Sequence, residues 1–272
     1  GHGTHCAGTI AGTLYGVAKG ARVNSIKVLG NDGYGSIASV VGGVNAVANF
    51  YADHGRPSVA SMSLGGGASQ DIDDAVNALV AAGVPTVVAA GNSNADACQY
   101  SPARASDAIT VGATDINADR AGYSNYGTCI DIFAPGSAIT SAWVGYPSVF
   151  NSISGSSMEC PHVSGAIALI LGVDGSLTPA EVEQKLKGEA ISGVINTPLP
   201  GETVNLFLQV QNFQDCDGVD PVDCVVSQWS QWTACPAPEE ACGQDILRTR
   251  TREVESPQVC GGAACGALLE EE

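Results

Sequence analysis

In this chain of 272 residues, the types and spacing that point most directly to chemistry are a serine set just ahead of an apolar helical run. Residues 155–165 read Gly-Ser-Ser-Met-Glu-Cys-Pro-His-Val-Ser-Gly, and Val163, Ile167, Ala168, Ile170 and Leu171 carry the run onward. Ser157 is thereby placed at a helix N-terminus, where unbonded N–H groups and the positive end of the helix dipole stabilise a developing oxyanion. A serine hydroxyl is a weak nucleophile and needs a base. The chain opens with one, in Gly1-His2-Gly3-Thr4-His5-Cys6-Ala7-Gly8, and Ala89-Ala90-Gly91-Asn92 brings an amide side chain to the end of an apolar stretch. Base, amide donor and nucleophile together describe acyl transfer. Each piece has a plainer reading: His2 and His5 at helical spacing could be a metal pair or structural histidines, and Asn92 an ordinary turn residue.

The elements that must position these residues follow from periodicity. Residues 23–29 read as a buried strand, followed by a Gly/Asn/Asp turn over 30–35 and a helix from Ser36 to about Asp53. Strands over 58–64, 84–90 and 108–112 enclose a helix near 69–82, with Ser69 as its candidate N-cap and Asp71, Asp73 and Asp74 in its first turns. Thr178-Pro179 starts another helix that runs to about Lys187. Strands alternating with helices imply a parallel sheet covered on both faces, with its site at the carboxyl ends of the strands. Asn92 and Ser63-Leu64-Gly65-Gly66-Gly67 both follow strands directly.

Composition bounds the class. The net charge of −17 is shared almost evenly, −8 over residues 1–210 and −9 over 211–272, which disfavours a nucleic-acid partner. No apolar run approaches the roughly 18 residues of a membrane span. Six of the ten cysteines fall after residue 210, without a Cys-x-x-Cys pair or a histidine among them, so disulfides and an extracellular setting are expected. The chain divides into residues 1–210, an acidic linker over 211–223 and a cysteine-rich segment over 224–272.

The motifs His2-Gly-Thr-His-Cys-Ala-Gly, Ala-Ala-Gly-Asn92 and Gly-Ser-Ser157-Met resemble those of the subtilisin-like serine proteases, most closely the proteinase K-like branch. The resemblance implies a three-layer α/β fold with a mostly parallel central sheet and endopeptidase activity through an Asp-His-Ser triad. His2 would be the base, Ser157 the nucleophile and Asn92 the oxyanion donor, with no cofactor for catalysis. Gly33-Tyr34-Gly35 and Ser63-Leu64-Gly65 resemble the two edge segments that hold an extended peptide substrate. Ala89-Ala90-Gly91 would line a primary pocket tolerant of apolar and aromatic side chains. Cys6 resembles a free cysteine beneath the base, although it could pair with Cys160. Cys98 and Cys129 resemble a disulfide of aqualysin-like members, and Asp131 with the carbonyls of Ser106 and Ala108 resembles a structural calcium site.

Two features depart from the family pattern. The family's acid lies about thirty residues before the histidine, so the chain is expected to lack it, to derive from a longer precursor and to be nearly inert alone. Glu159 stands where the family has a small residue. It is expected to turn into solvent, or else to impair the site and favour a secreted adhesion protein built on a protease scaffold.

The tail has its own signature, Cys224 with Trp229-Ser-Gln-Trp232 and Cys235, then Arg248-Thr-Arg-Thr-Arg252, Cys260 and Cys265. The arginines alternate onto one strand face, suited to layering with indoles. The pattern resembles a thrombospondin type 1 repeat, a small disulfide-rich three-stranded β unit that binds matrix proteins or glycans. That resemblance implies the pairs Cys224–Cys260 and Cys235–Cys265.

Overall fold

The computed structural model describes residues 1–145, 149–210, 225–226, 228, 249–251, 254–256 and 269–271. The chain divides into two compact units, Gly1–Gln211 and Asn212–Glu272.

The first unit opens with α1 (His2–Ala11) and α2 (Ile37–His54), the latter capped by the Ser36 hydroxyl accepting from the Ser39 amide. Next come β1 (Ala60–Met62), β2 (Gly66–Gly67), α3 (Gln70–Ala81), β3 (Thr86–Ala89) and β4 (Tyr100–Ser101). The sheet continues through β5 (Ile109–Thr114) and β6 (Ile132–Pro135), and β7 (Ile139–Ala142) and β8 (Phe150–Ile153) form a separate hairpin. The last elements of the unit are α4 (Ser156–Val173), α5 (Pro179–Glu189), β9 (Ile191–Ser192) and β10 (Leu206–Phe207). The central sheet runs β1-β3-β5-β6-β10-β9, parallel except for β9 against β10.

Every residue of β3 and β5 is buried. Side chains alternate across a strand, so both faces must be covered. On one side α2 and α3 bury Val40, Val44, Ile72, Val76 and Leu79 with Ala60, Met62 and Val88 of the sheet. On the other, α4 packs against β1, β3, β5, β6 and α1. Few helices of a small domain are apolar all round, but α4 buries Met158, Cys160, Val163, Ala166, Ile167, Ile170 and Leu171 and so runs through the core. At the start of α5, Thr178 and Glu181 exchange bonds as a capping box.

One predicted element is missing. Residues 23–29 form no strand, and Val23 and Ile26 are exposed. A strand exists only through pairing, and among the described residues β1, at the sheet's edge, pairs with β3 alone, so none of them forms a ladder with the apolar run.

In the second unit β11 (Val225–Val226) pairs antiparallel with β13 (Val254–Ser256), and β12 (Thr249–Thr251) with β14 (Leu269–Glu271). Cys224, Cys235, Cys260 and Cys265, with both predicted pairs, lie outside the described residues, as do Trp229 and Trp232.

Close packing of α4 makes one glycine testable. A Cβ on Gly165 would stand 2.6 Å from Val17 Cβ and 3.3 Å from the Ile10 carbonyl, whereas one on Gly172 would meet nothing. Gly165→Val should lower unfolding free energy by about 1–3 kcal/mol, and Gly172→Ala should raise it by roughly 0.5–1 kcal/mol. Urea unfolding of the two variants checks both signs.

Candidate active site

Helix α4 delivers Ser157 to the carboxyl end of β3. Ser156 makes the junction: its amide donates to Asn92 Oδ1 at 2.7 Å, and its hydroxyl accepts from the Gly91 amide at 3.2 Å. With its oxygen engaged by Ser156, Asn92 keeps its Nδ2 donor for another partner. A Cβ on Gly155 would lie 3.8 Å from both Asn92 Oδ1 and the Ser157 amide nitrogen, and 3.9 Å from Asn92 Nδ2. The two donors therefore border one small space, kept open because Gly155 has no side chain.

The loop carrying Asn92 is held by a residue that sequence reasoning missed. Asn125 is fully buried, and its Nδ2 donates to the Ala90 carbonyl at 2.8 Å. Its Oδ1 accepts from the amides of Ser93 at 2.9 Å and Ala95 at 3.1 Å. Gly91 has φ +105°, and a Cβ there would run into the Asn125 amide, so this turn admits only glycine. No local periodicity marks Asn125, because its partners lie about thirty residues away.

On the other side of Ser157, its hydroxyl donates to the Ser63 carbonyl at 3.3 Å, and its carbonyl accepts from the Ser63 hydroxyl at 2.9 Å and the Cys6 thiol at 3.5 Å. His2 Nδ1 stands 4.0 Å from that same Cys6 sulfur. His2 and Ser157 thus share one neighbour at the start of their two helices, and Cys6 is the polar group that Nδ1 faces. Partial burial and the His5 ring hold the His2 imidazole below its ordinary pKa, which favours the neutral form that accepts a proton. His5 is not half of a metal pair: it is buried, and its Nε2 lies 2.9 Å from the Ile139 carbonyl and 3.2 Å from that of Asn151. Cys6 and Cys160 are both free and buried. Burial raises the Cys6 thiol and pushes Cys160 up to about 12, so neither supplies a thiolate near neutral pH.

A cleft of about 240 Å³ opens beside Ser157, walled by residues 64–67 and 89–93 together with Tyr100, Ser101, Ala103 and Ser156. Ala89, Ala90 and Gly91 are in its lining, and so are Tyr100 and Ala103, which the sequence did not mark. Its wall is fixed by β2, which pairs antiparallel with β4, and by the Cys98–Cys129 disulfide, with Cα atoms 5.4 Å apart. Gly33, Tyr34 and Gly35 are absent from the lining, and Tyr34 is 79% exposed on its turn.

Glu159 departs from expectation. It does not reach solvent: the first turn of α4 lies in the core, and the side chain has no exposed surface. Neither carboxyl oxygen makes a hydrogen bond, and Oε2 lies 3.0 Å from where a Cβ on Gly136 would sit. Burial lifts this carboxyl well above its ordinary pKa, and the nearby amides of Met158 and Glu159 offset that only in part.

Asp131, the one carboxylate of the predicted calcium set, meets an ammonium instead of lying free. Asp131 Oδ2 accepts from the Thr110 amide at 2.8 Å, and Oδ1 from the Lys187 ammonium at 2.8 Å. Among the described residues no group of three or more His, Cys, Asp or Glu side chains is placed to hold a metal.

Residues 1–215 match the subtilase family of S8 peptidases. The chain belongs to that family. It is 47% identical over 224 residues to alkaline serine exoprotease A of Vibrio alginolyticus, a match covering 81% of this chain and 41% of that protein. It is 52% identical over 195 residues to an extracellular serine proteinase of Thermus sp. strain Rt41A, covering 72% of this chain and 47% of that one. This subtilase chain spans less than half the length of either. Among solved structures, a cold-adapted subtilisin-like serine proteinase superposes with a TM-score of 0.73 at 45% identity, covering 77% of this chain and 74% of its own. Among the described residues no helix is long and apolar enough to cross a membrane.

Two outcomes follow. Burial sets the folded pKa of Glu159 above the unfolded value of about 4.3, so this residue's contribution to stability falls as pH rises from that value toward the folded pKa. Glu159→Gln should gain on the parent by up to about 1.4 kcal/mol per pH unit across that window; equal slopes in urea titrations from pH 4 upward would show an ionised carboxylate. Asn125→Ala should strip partners from a buried carbonyl and two amides, costing about 2–5 kcal/mol, read as a lowered unfolding midpoint.

Proposed function

We propose that this subtilase is a secreted serine endopeptidase of the proteinase K-like branch. The observation that carries the reading is that Ser157 and Asn92 line one cleft while His2 Nδ1 faces Cys6, whose thiol donates to the Ser157 carbonyl. Ser157 Oγ, turned from the Ser63 carbonyl toward the imidazole, attacks the scissile carbonyl as His2 takes its proton. The oxyanion that forms is met by the Ser157 amide and Asn92 Nδ2; it collapses with cleavage of the C–N bond, the amine leaving with the proton that His2 returns, and water activated on the same, now neutral, imidazole hydrolyses the acyl-enzyme. The triad's acid, expected on a strand preceding His2 in the family, is proposed to come from outside these 272 residues; the chain alone should then act about four orders of magnitude more slowly.

An extended peptide would lie along residues 63–67 with an apolar or aromatic side chain in the pocket formed by Ala89–Gly91 and Tyr100. The absence of any charged residue from the lining supports that preference. Residues 224–272 would add matrix or glycan binding through the thrombospondin-like repeat. Glu159 supports a second reading, an impaired protease fold kept as an adhesion scaffold, because a buried acid two residues from the nucleophile is a costly neighbour.

A fluorophosphonate probe separates the two when the protein is expressed from its complete reading frame. Labelling should be abolished in Ser157→Ala, and peptide hydrolysis should fall about 100- to 1000-fold in Asn92→Ala. Folded protein that takes up no label would favour the scaffold.

A further inference from the structure

The disagreement at Asp131 carries an inference of its own. Asp131 precedes β6 and is joined to β5 twice, by its amide donating to the Thr110 carbonyl at 2.9 Å and by Oδ2 accepting from the Thr110 amide at 2.8 Å. Its other oxygen holds the ammonium of Lys187, which also donates to Glu183 Oε1 at 2.6 Å. Lys187 lies in the last turn of α5, a helix anchored by the fully buried Val182 and Leu186. A cation there also suits the negative end of the helix.

We propose that Lys187 is a built-in replacement for a divalent cation at Asp131, tying α5 to the parallel sheet with the chain's own charge. Three features favour the ammonium. A calcium ion needs six or more oxygens, and both oxygens of Asp131 are already engaged, one by the Thr110 amide and one by the Lys187 ammonium. The ammonium has three donors and uses two of them on carboxylates from separate elements. Its reach is set by a helix already fixed in the core, so little freedom is lost in holding it. Two carboxylates share one ammonium, which leaves an excess negative charge at the spot. Glu183 also shares a neighbouring cleft with Ser106 and Asp107. Removing Lys187 should therefore expose oxygens that a calcium ion can use.

Thermal unfolding of the whole protein in EDTA and in millimolar calcium tests this without recourse to activity. In EDTA, Lys187→Gln should melt roughly 2–4 °C below the parent, and Lys187→Arg should melt with it. Calcium should restore Lys187→Gln, and the restoration should vanish in Lys187→Gln/Asp131→Asn. The calcium-induced shift of the parent should be the same with and without Asp131→Asn, whatever its size. A parent shift that Asp131→Asn removes would overturn the proposal, because Asp131 would then bind calcium with Lys187 present. Loss in Lys187→Gln that calcium leaves unrepaired would overturn it too, as would a Lys187→Gln protein melting with the parent in EDTA. If Lys187→Gln fails to fold, comparing the parent with Asp131→Asn still decides.

Discussion

The site depends on one junction, where a helix that runs through the core meets the loop leaving β3. Ser156 is bonded in both directions there, amide to Asn92 and hydroxyl to Gly91. These short-range bonds fix the distance between Ser157 and Asn92 only because each side is anchored by packing. α4 cannot slide, since it is buried against four strands and α1. The β3 loop cannot open, since Asn125 occupies its interior and satisfies three of its backbone groups. Precision at the surface is thus inherited from packing beneath it.

The sequence was most legible where chemistry is local. Small residues around Ser157, the helical frame at His2 and the strand ending at Ala89 all declare themselves within a few positions, and the Thr178-Pro179 start of α5 is a signal complete in four residues. What could not be read locally depends on distant partners. Asn125 looks like a loop amide until its partners near residue 90 are brought to it. Tyr100 and Ala103 join the cleft only because β4 pairs with β2. Residues 23–29 carry the composition of a strand, but a strand is a relation between two segments, and the second is not among those described.

Glu159 and Asp131 show the same principle for charge. Both are single carboxylates in apolar or half-buried surroundings, and both look from sequence like groups that would meet solvent or metal. Their outcomes diverge because one is buried with no hydrogen bond to either oxygen, while the other faces a helix end that presents an ammonium. Burial alone therefore does not decide the state of an acid; the donor inventory of the opposing element does.

The Cys98–Cys129 bond has a consequence of another kind. The covalent ring it closes contains the cleft wall at Tyr100 and Ala103, the whole of β5, and Asn125. Those parts cannot peel away as a free end. For a protein proposed to cut extended chains, its most concentrated substrate is a neighbouring copy of itself, and a segment is cut only after it unravels to fit a cleft. Ring closure would limit such unravelling in the segment that shapes the cleft, and under the proposed activity would protect it against self-digestion.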